Sequence, residues 1–241
     1  VITALVLFKP NKLFGIPLIL SAITAGAVFM PKAPEALLRY SPLRVNGQGE
    51  LLFYDVGRSA AVVALRQGDQ IAVRTNSLPE ASIDGVGALP QLYVEAWMAP
   101  LAVLARPQIQ DMLIIGLGGA RVLEAVPPSV HAIDVIELEE KVVGANRHIA
   151  KRRLIDPLAD SRINLILNDA RGSLQLTNKL YDAVVSQPSH PWTAGASHLY
   201  TRQFMQQAKD HLKPGGLFVQ WINVDFLDEG LLRSMVATIN D

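Results

Sequence analysis

The sequence predicts an α/β protein whose main body is a doubly wound parallel sheet, preceded by a small antiparallel β unit and an N-terminal hydrophobic segment. Three observations carry that expectation. From residue 89 onward, short apolar runs of strand length alternate with stretches of helical spacing, the pattern of βα units. One of those runs, Asp111-Met-Leu-Ile-Ile-Gly-Leu-Gly-Gly119, breaks into three glycines. Before it lie brief β-like runs separated by hairpin-type turns. At 241 residues, half of them apolar, the chain can build one sizeable core and a smaller appendage. The 22 basic and 22 acidic residues cancel without a long run of one sign, so nothing supports nucleic-acid binding. Cysteine is absent, which excludes a disulfide framework, a thiolate nucleophile and Cys-ligated zinc.

Leu13 to Met30 runs for about eighteen residues without a charge, after a polar turn at Lys9-Pro-Asn-Lys12. That length spans a bilayer. A buried hairpin is the competing reading, since Gly15, Pro17 and Gly26 weaken a helix in water but are tolerated in lipid. The expectation is a transmembrane segment with its linker over 1–36, and a membrane localisation with the folded body on the cytoplasmic side. Lys9 and Lys12 face Lys32, Arg39 and Arg44 across the run, so the positive-inside rule leans only slightly. The chain opens on Val1 and stops at Asp241 without a terminal signal, and is expected to be an internal stretch of something longer.

A small β domain is expected over 37–88. Its strands are Leu51 to Tyr54, Ala60 to Leu65 and Gln70 to Arg74, with turns at 55–58 and 67–69. The main domain then covers 89–241. Helical spacing runs from Gln91 to Leu104, and strands are expected at Met112–Gly116, His131–Glu137, Arg162–Leu167, Tyr181–Ser186 and Leu217–Trp221. Helices are expected at Glu139–Ala150, Ala170–Asn178 and Leu199–Leu212, with Lys213-Pro-Gly-Gly216 as the closing turn of the third.

In such a sheet, ligands bind beyond the carboxyl ends of the strands. The strand ends here carry Gly116, Gly118 and Gly119, then Glu137, then Asn168-Asp169-Ala170, then Ser186-Gln-Pro-Ser-His-Pro-Trp192. Glycines admit close backbone approach, and an acidic tip on the second strand accepts ribose hydroxyls. The loop lacks the third glycine of a dinucleotide fingerprint, which favours a nucleoside without phosphates, such as S-adenosylmethionine. Asp169 suits an adenine amine. Taken singly, Glu137 reads as a solvated residue and Asp169 as a helix N-cap; four such ends on one sheet point to a Rossmann-like sheet of the S-adenosylmethionine-dependent methyltransferase type. His148, His198 and His211 lack ligand spacing, and no metal is expected.

The segments from Leu51 to Ser59, Tyr93-Val-Glu95, Pro100-Leu101, the glycine loop, Ile-Glu137, Asn168 to Arg171, Tyr-Asp182, Leu199 to Phe204 and Leu212 to Gly216 together resemble the spermidine synthase-like polyamine aminopropyltransferases. The stretch Pro188-Ser-His-Pro-Trp-Thr-Ala-Gly195 resembles the branch fused behind transmembrane helices. The resemblance implies that Gly116 and Gly118 line a nucleoside site, that Glu137 binds ribose, and that Asp169 with Ala170 meets adenine; Gly119 joins them as a candidate from the strand end alone. It also implies decarboxylated S-adenosylmethionine or S-adenosylmethionine as co-substrate, an amine as second substrate, and a homodimer as one expected assembly.

The departures from that pattern define the open question. Where the family carries an Asp in the glycine loop and two in the turn after the fourth strand, this chain has Gly118-Gly119-Ala120, Gln187 and His190. The family's Gln in the first β unit is Ala60, and its Asp-Gly turn is Asn76-Ser77. Each missing charge-assisted bond to a polyamine forgoes about 1.5–3 kcal/mol. The catalytic candidates that remain are Gln187, His190 and Tyr93, with Glu95 nearby. His190, between prolines in a loop, reads first as an ordinary exposed histidine and second as a base, and Asp182 at a strand start reads as structural. Three functions follow as expectations: aminopropyl transfer with an atypical acceptor site, methyl transfer with Arg121 holding the donor carboxylate, or a non-catalytic nucleoside sensor attached to a membrane protein.

Overall fold

The computed structural model describes residues 19, 21–25, 49–193, 195–224 and 227–240. Contacts divide the chain into two units, 1–38 and 39–241. In the first, only Ile19 and a helical turn at 21–25 are described, so most of the expected membrane segment lies outside the described residues. Among the described residues no helix is long and apolar enough to cross a membrane. The expected membrane localisation is corrected on that finding.

The second unit holds two sheets. The small one is an antiparallel meander of β1 (Glu50–Val56), β2 (Ala61–Gln67), β3 (Gln70–Thr75) and β4 (Leu78–Asp84), paired in that order. Strand β4 was not expected, because Pro79 and Glu80 break its apolar pattern; at a sheet edge a proline forfeits no ladder bond. The β3–β4 turn is Asn76-Ser77, both with positive φ (48° and 67°), as a two-residue hairpin requires.

The large sheet is parallel, in the order β7-β6-β5-β8-β9. Its strands are β5 (Asp111–Ile115), β6 (Ala132–Glu137), β7 (Ile163–Leu167), β8 (Tyr181–Ser186) and β9 (Leu212–Gln220). Residues alternate between its two faces. Met112, Ile114, Ala183 and Val185 enter one core cluster, whereas Leu113, Ile115 and Val184 enter the other. The helices are α1 (Met98–Ala105), α2 (Arg121–Glu124), α3 (Glu140–Ile149), α4 (Ala170–Gln175), α5 (Arg202–Asp210) and α6 (Glu229–Asn240).

Several element boundaries differ from expectation for local reasons. The Gln91–Leu104 helix begins only at Met98, after a 3-10 turn at Val94–Trp97. The Leu199–Leu212 helix splits into a 3-10 turn (Ala196–Tyr200) and α5, because Thr201 turns extended and its Oγ1 accepts from the Phe204 amide at 3.3 Å. Strand β9 starts at Leu212, so the Lys-Pro-Gly-Gly segment lies inside the strand, where the register shifts against β8. Helices α2 and α6 were not expected.

The small sheet docks on the large domain through α3 and the glycine loop. Ile149 of α3 joins Leu52, Ile71, Val73 and Ile83 in one cluster. A Cβ on Gly119 would lie 2.4 Å from Ala81 Cβ, so β4 can press on the loop only because that position has no side chain. Beneath the loop runs a buried chain of alternating charge, Asp84, Arg121, Glu124 and Arg153, with contacts of 3.4, 2.6 and 2.6 Å. The Arg153 Nη2 also donates to the Gly119 carbonyl (2.9 Å), and its Nη1 to Asn146 Oδ1 (2.8 Å). Asn146 Nδ2 in turn donates to the Gly118 carbonyl (2.8 Å). Removing one partner of a buried pair typically costs 3–5 kcal/mol. Arg153→Met is therefore expected to lose roughly 3–5 kcal/mol in urea unfolding, and an unchanged midpoint would contradict this role.

Candidate functional site

The chain order 3-2-1-4-5 across the large sheet places a switch point between β5 and β8, where a crevice opens beyond the strand ends. Gly116 sits at its floor with φ +92°, and a Cβ there would lie 2.4 Å from the Gln187 carbonyl oxygen. Only glycine lets the two loops approach so closely. The Gln187 amide donates to the Ile115 carbonyl (2.8 Å) and the Gly116 amide to that of Ile136 (2.9 Å), so the last turn of β5 is tied to both neighbours. A Cβ on Gly118 would meet only open space.

A cavity of about 160 Å³ lies over this floor, lined by Gly116, Gly118, Glu137, Asp169 and Ala170, with Ser59 and Ala60 reaching in from the small sheet. Glu137 is buried; its Oε2 accepts from the Leu117 amide and its Oε1 from the Glu139 amide, both at 2.8 Å. A carboxylate has about four acceptor sites, so capacity remains for a ribose hydroxyl beside these backbone bonds. Asp169 is the N-cap of α4, accepting from the Gly172 amide at 2.8 Å, so both readings of that residue meet in one side chain. Gly119 is not among the lining residues of this cavity, and its lack of a Cβ makes room for Ala81.

Glu139 supplies a contact that sequence reasoning missed. Its carboxylate accepts from Ser59 N and Oγ (2.8 and 2.7 Å) and Ala60 N (3.2 Å), and it caps α3 through the Lys141 amide (3.1 Å). Burial alone would raise its pKa, but the bonds from Ser59, Lys141 and Ala60 together outweigh it and hold the carboxyl below its ordinary value. The turn between β1 and β2 is thereby fixed over the cavity. The sequence signal was present only as an N-cap acid before a helix.

A second cavity of about 360 Å³ adjoins the first, with Arg74, Glu80, Tyr93, Glu95, Gln187 and His190 in its wall. The two share Glu80, Gly118 and the Gln187–Ser189 loop. His190 is buried, not exposed: its ring stacks on Trp192 (centroids 4.8 Å apart, planes at 13°), and its Nδ1 lies 3.0 Å from Asn223 Nδ2. Tyr93 donates to Gln70 Oε1 (2.5 Å) beneath the Arg121 guanidinium, 3.9 Å above its ring. Its phenol pKa is raised, first by burial and then by Asp84, which disqualifies it as a base at neutral pH. Arg121 is engaged by Asp84, Glu124 and the Gln91 carbonyl and lines neither cavity. Asp182 accepts from the Gln110 and Asp111 amides (3.0 and 2.9 Å), a structural position.

The family model of the spermine/spermidine synthase domain matches residues 91–241. The chain belongs to this family. The polyamine aminopropyltransferase of Escherichia fergusonii is 30% identical over 134 residues, 55% of this chain and 46% of that protein. Its counterpart in Buchnera aphidicola is 26% identical over 129 residues, 53% and 45% of the two chains. The chain thus spans about half the length of the curated relatives it matches. Among solved structures, a spermidine synthase in complex with the transition state analogue AdoDATO aligns with a TM-score of 0.65 and 17% identity, over 79% of this chain and 62% of that one. The spermidine synthase from Thermotoga maritima aligns at 0.64 and 16%, over 79% and 63%. The spermine/spermidine synthase fold thus accounts for both sheets.

In this family member, burial pushes the carboxyls of Glu80 and Glu137 above their ordinary value of 4.5, against the hydrogen bonds each accepts. The folded protein then binds these protons more tightly than the unfolded chain. The stability they contribute is complete below pH 4.5 and is lost as pH rises through the raised values. Across that window wild type should lose stability relative to Glu80→Gln by up to about 1.4 kcal/mol per pH unit in urea titrations, and parallel curves would contradict the shift.

Proposed function

We propose that this chain transfers an aminopropyl group from decarboxylated S-adenosylmethionine to an amine held in an acceptor pocket of unusual composition. The observation that carries the reading is the meeting of two cavities over the β5–β8 switch point, one lined by strand ends suited to a nucleoside, the other polar. Glycine 116 and Gly118 give the nucleoside its close approach, Glu137 takes the ribose hydroxyls, and Asp169 with Ala170 meets the adenine. Gln187, His190 and Tyr93 wall the acceptor. The same reading takes 37–88 as a small β domain and 89–241 as the nucleoside domain, with the β1–β4 sheet reaching the cavity through Ser59 and Ala60. The reaction joins the acceptor nitrogen to the propyl carbon as that carbon's bond to sulfur breaks. The attacking amine must be neutral, so a proton has to leave it.

Methyl transfer would use the same nucleoside contacts but also needs a cation for the donor's carboxylate. Arg121, the candidate for that task, is occupied by Asp84 and Glu124 and lines neither cavity, which counts against that residue's role in methyl transfer. The amide of Gln187 where the family carries an acid favours the sensor reading instead, and activity separates the two.

Calorimetry against decarboxylated S-adenosylmethionine, S-adenosylmethionine and methylthioadenosine should show binding of all three, tightest for the first. Glu137→Ala is expected to weaken each by roughly 10- to 100-fold, the loss of a hydrogen bond to a charged group. Binding of none would overturn the nucleoside site. Incubation with putrescine or spermidine should add one aminopropyl group by mass; tight binding without that product supports the sensor.

A further inference from the structure

We infer that Glu80 is the carboxylate that faces the reacting amines, doing from the small sheet the work that no acid of the glycine loop or the β8 turn is present to do. The inference rests on the nucleoside-and-amine reading of the two cavities. Glu80 lies on β4, the edge strand pressed against the glycine loop, and its side chain belongs to the walls of both cavities, at the seam beside Gly118 and Gln187. A donor seated in the first cavity and an acceptor in the second can meet only across that seam. The carboxylate is oriented from both sides. Its Oε1 accepts from Thr75 Oγ1 within the hairpin and from Ser189 Oγ (2.7 Å) in the loop after β8. Both bonds fall on Oε1, so neither hydroxyl engages Oε2.

A negative group there sets the charge of what binds. The decarboxylated donor presents a sulfonium and an ammonium, which a carboxylate attracts; the intact donor adds an α-carboxylate, which it repels. Glu80 therefore selects the decarboxylated form without any basic residue being needed to reject the other. In the transfer itself the acceptor nitrogen attacks the propyl carbon, the carbon–sulfur bond breaks, and the sulfonium becomes a neutral thioether. The proton released from nitrogen passes to Glu80 and then to solvent. Burial raises the Glu80 pKa against its bonds to Thr75 and Ser189, which brings it nearer the range of an effective base. The titratable groups around it are Glu137 and Tyr200, both within its electrostatic reach, and Arg74, Tyr93, Glu95 and His190 around the larger cavity.

The test compares binding of decarboxylated S-adenosylmethionine with that of methylthioadenosine, which lacks both positive charges, in the full chain. Wild type should prefer the charged ligand by tenfold or more. Glu80→Gln keeps an acceptor oxygen for Thr75 and Ser189 and should erase that margin, leave methylthioadenosine affinity unchanged, and lower transfer at least 100-fold. Glu80→Asp should keep most of the margin. A margin that survives Glu80→Gln overturns the proposal while leaving the nucleoside site intact; failure of wild type to bind either ligand overturns the nucleoside reading and this inference with it. If Glu80→Gln does not fold, a pH series on wild type decides: the margin should shrink as pH falls through the Glu80 titration, and a constant margin rejects the role.

Discussion

Everything at the mouth of the large sheet depends on how the carbonyls of Gly118 and Gly119 are held. A loop that turns sharply between a buried strand and a short helix leaves carbonyls inside the protein, and each needs a donor once water is gone. Arg153 and Asn146 supply those donors, and Glu124, Arg121 and Asp84 balance the charge that Arg153 brings. The same chain of charges reaches Asp84 at the end of β4. Holding the loop and holding the small sheet are therefore one task.

That coupling explains why two sheets of different construction build a single site. The parallel sheet offers strand ends and a crevice, as any doubly wound sheet does. The meander covers the crevice from above, fixed at one end by Glu139 on the Ser59 turn and at the other by Ala81 and Ile83 against Gly119. Pressed down in this way, β4 delivers Glu80 to the seam between the cavities. A carboxylate then stands in the walls of both cavities, and the proposed preference for a cationic ligand rests on this covering sheet.

Much of the architecture was legible in the sequence because burial on both faces leaves unmistakable apolar runs. Strand β8 was read to its exact ends, and β5, β6 and β7 to within a residue. The strand ends were legible for the same reason, since Glu137 closes one of those runs and Asp169 comes two residues after another. What escaped depends on contacts far apart in sequence. Glu80 looked like a polar interruption after a proline, and only tertiary pairing makes it an edge-strand residue. Glu139 is two residues from Glu137, yet its partners Ser59 and Ala60 lie 80 and 79 residues away. The packing of Ala81 on Gly119 is likewise visible only once β4 is in place. His190 reads as exposed between its prolines; stacking on Trp192 buries it. The apolar stretch at the N-terminus satisfied a composition rule for membrane spans, but among the described residues no helix meets the length.

The central claim is that the β5–β8 crevice is a nucleoside cradle that opens onto Glu80. A crystal structure of the chain with methylthioadenosine tests it most directly. The account predicts ribose hydroxyls on Glu137, adenine beside Asp169 and Ala170, and the thioether pointing to the seam at Glu80. A nucleoside bound elsewhere, or seated there with its sulfur turned away from Glu80, would contradict it.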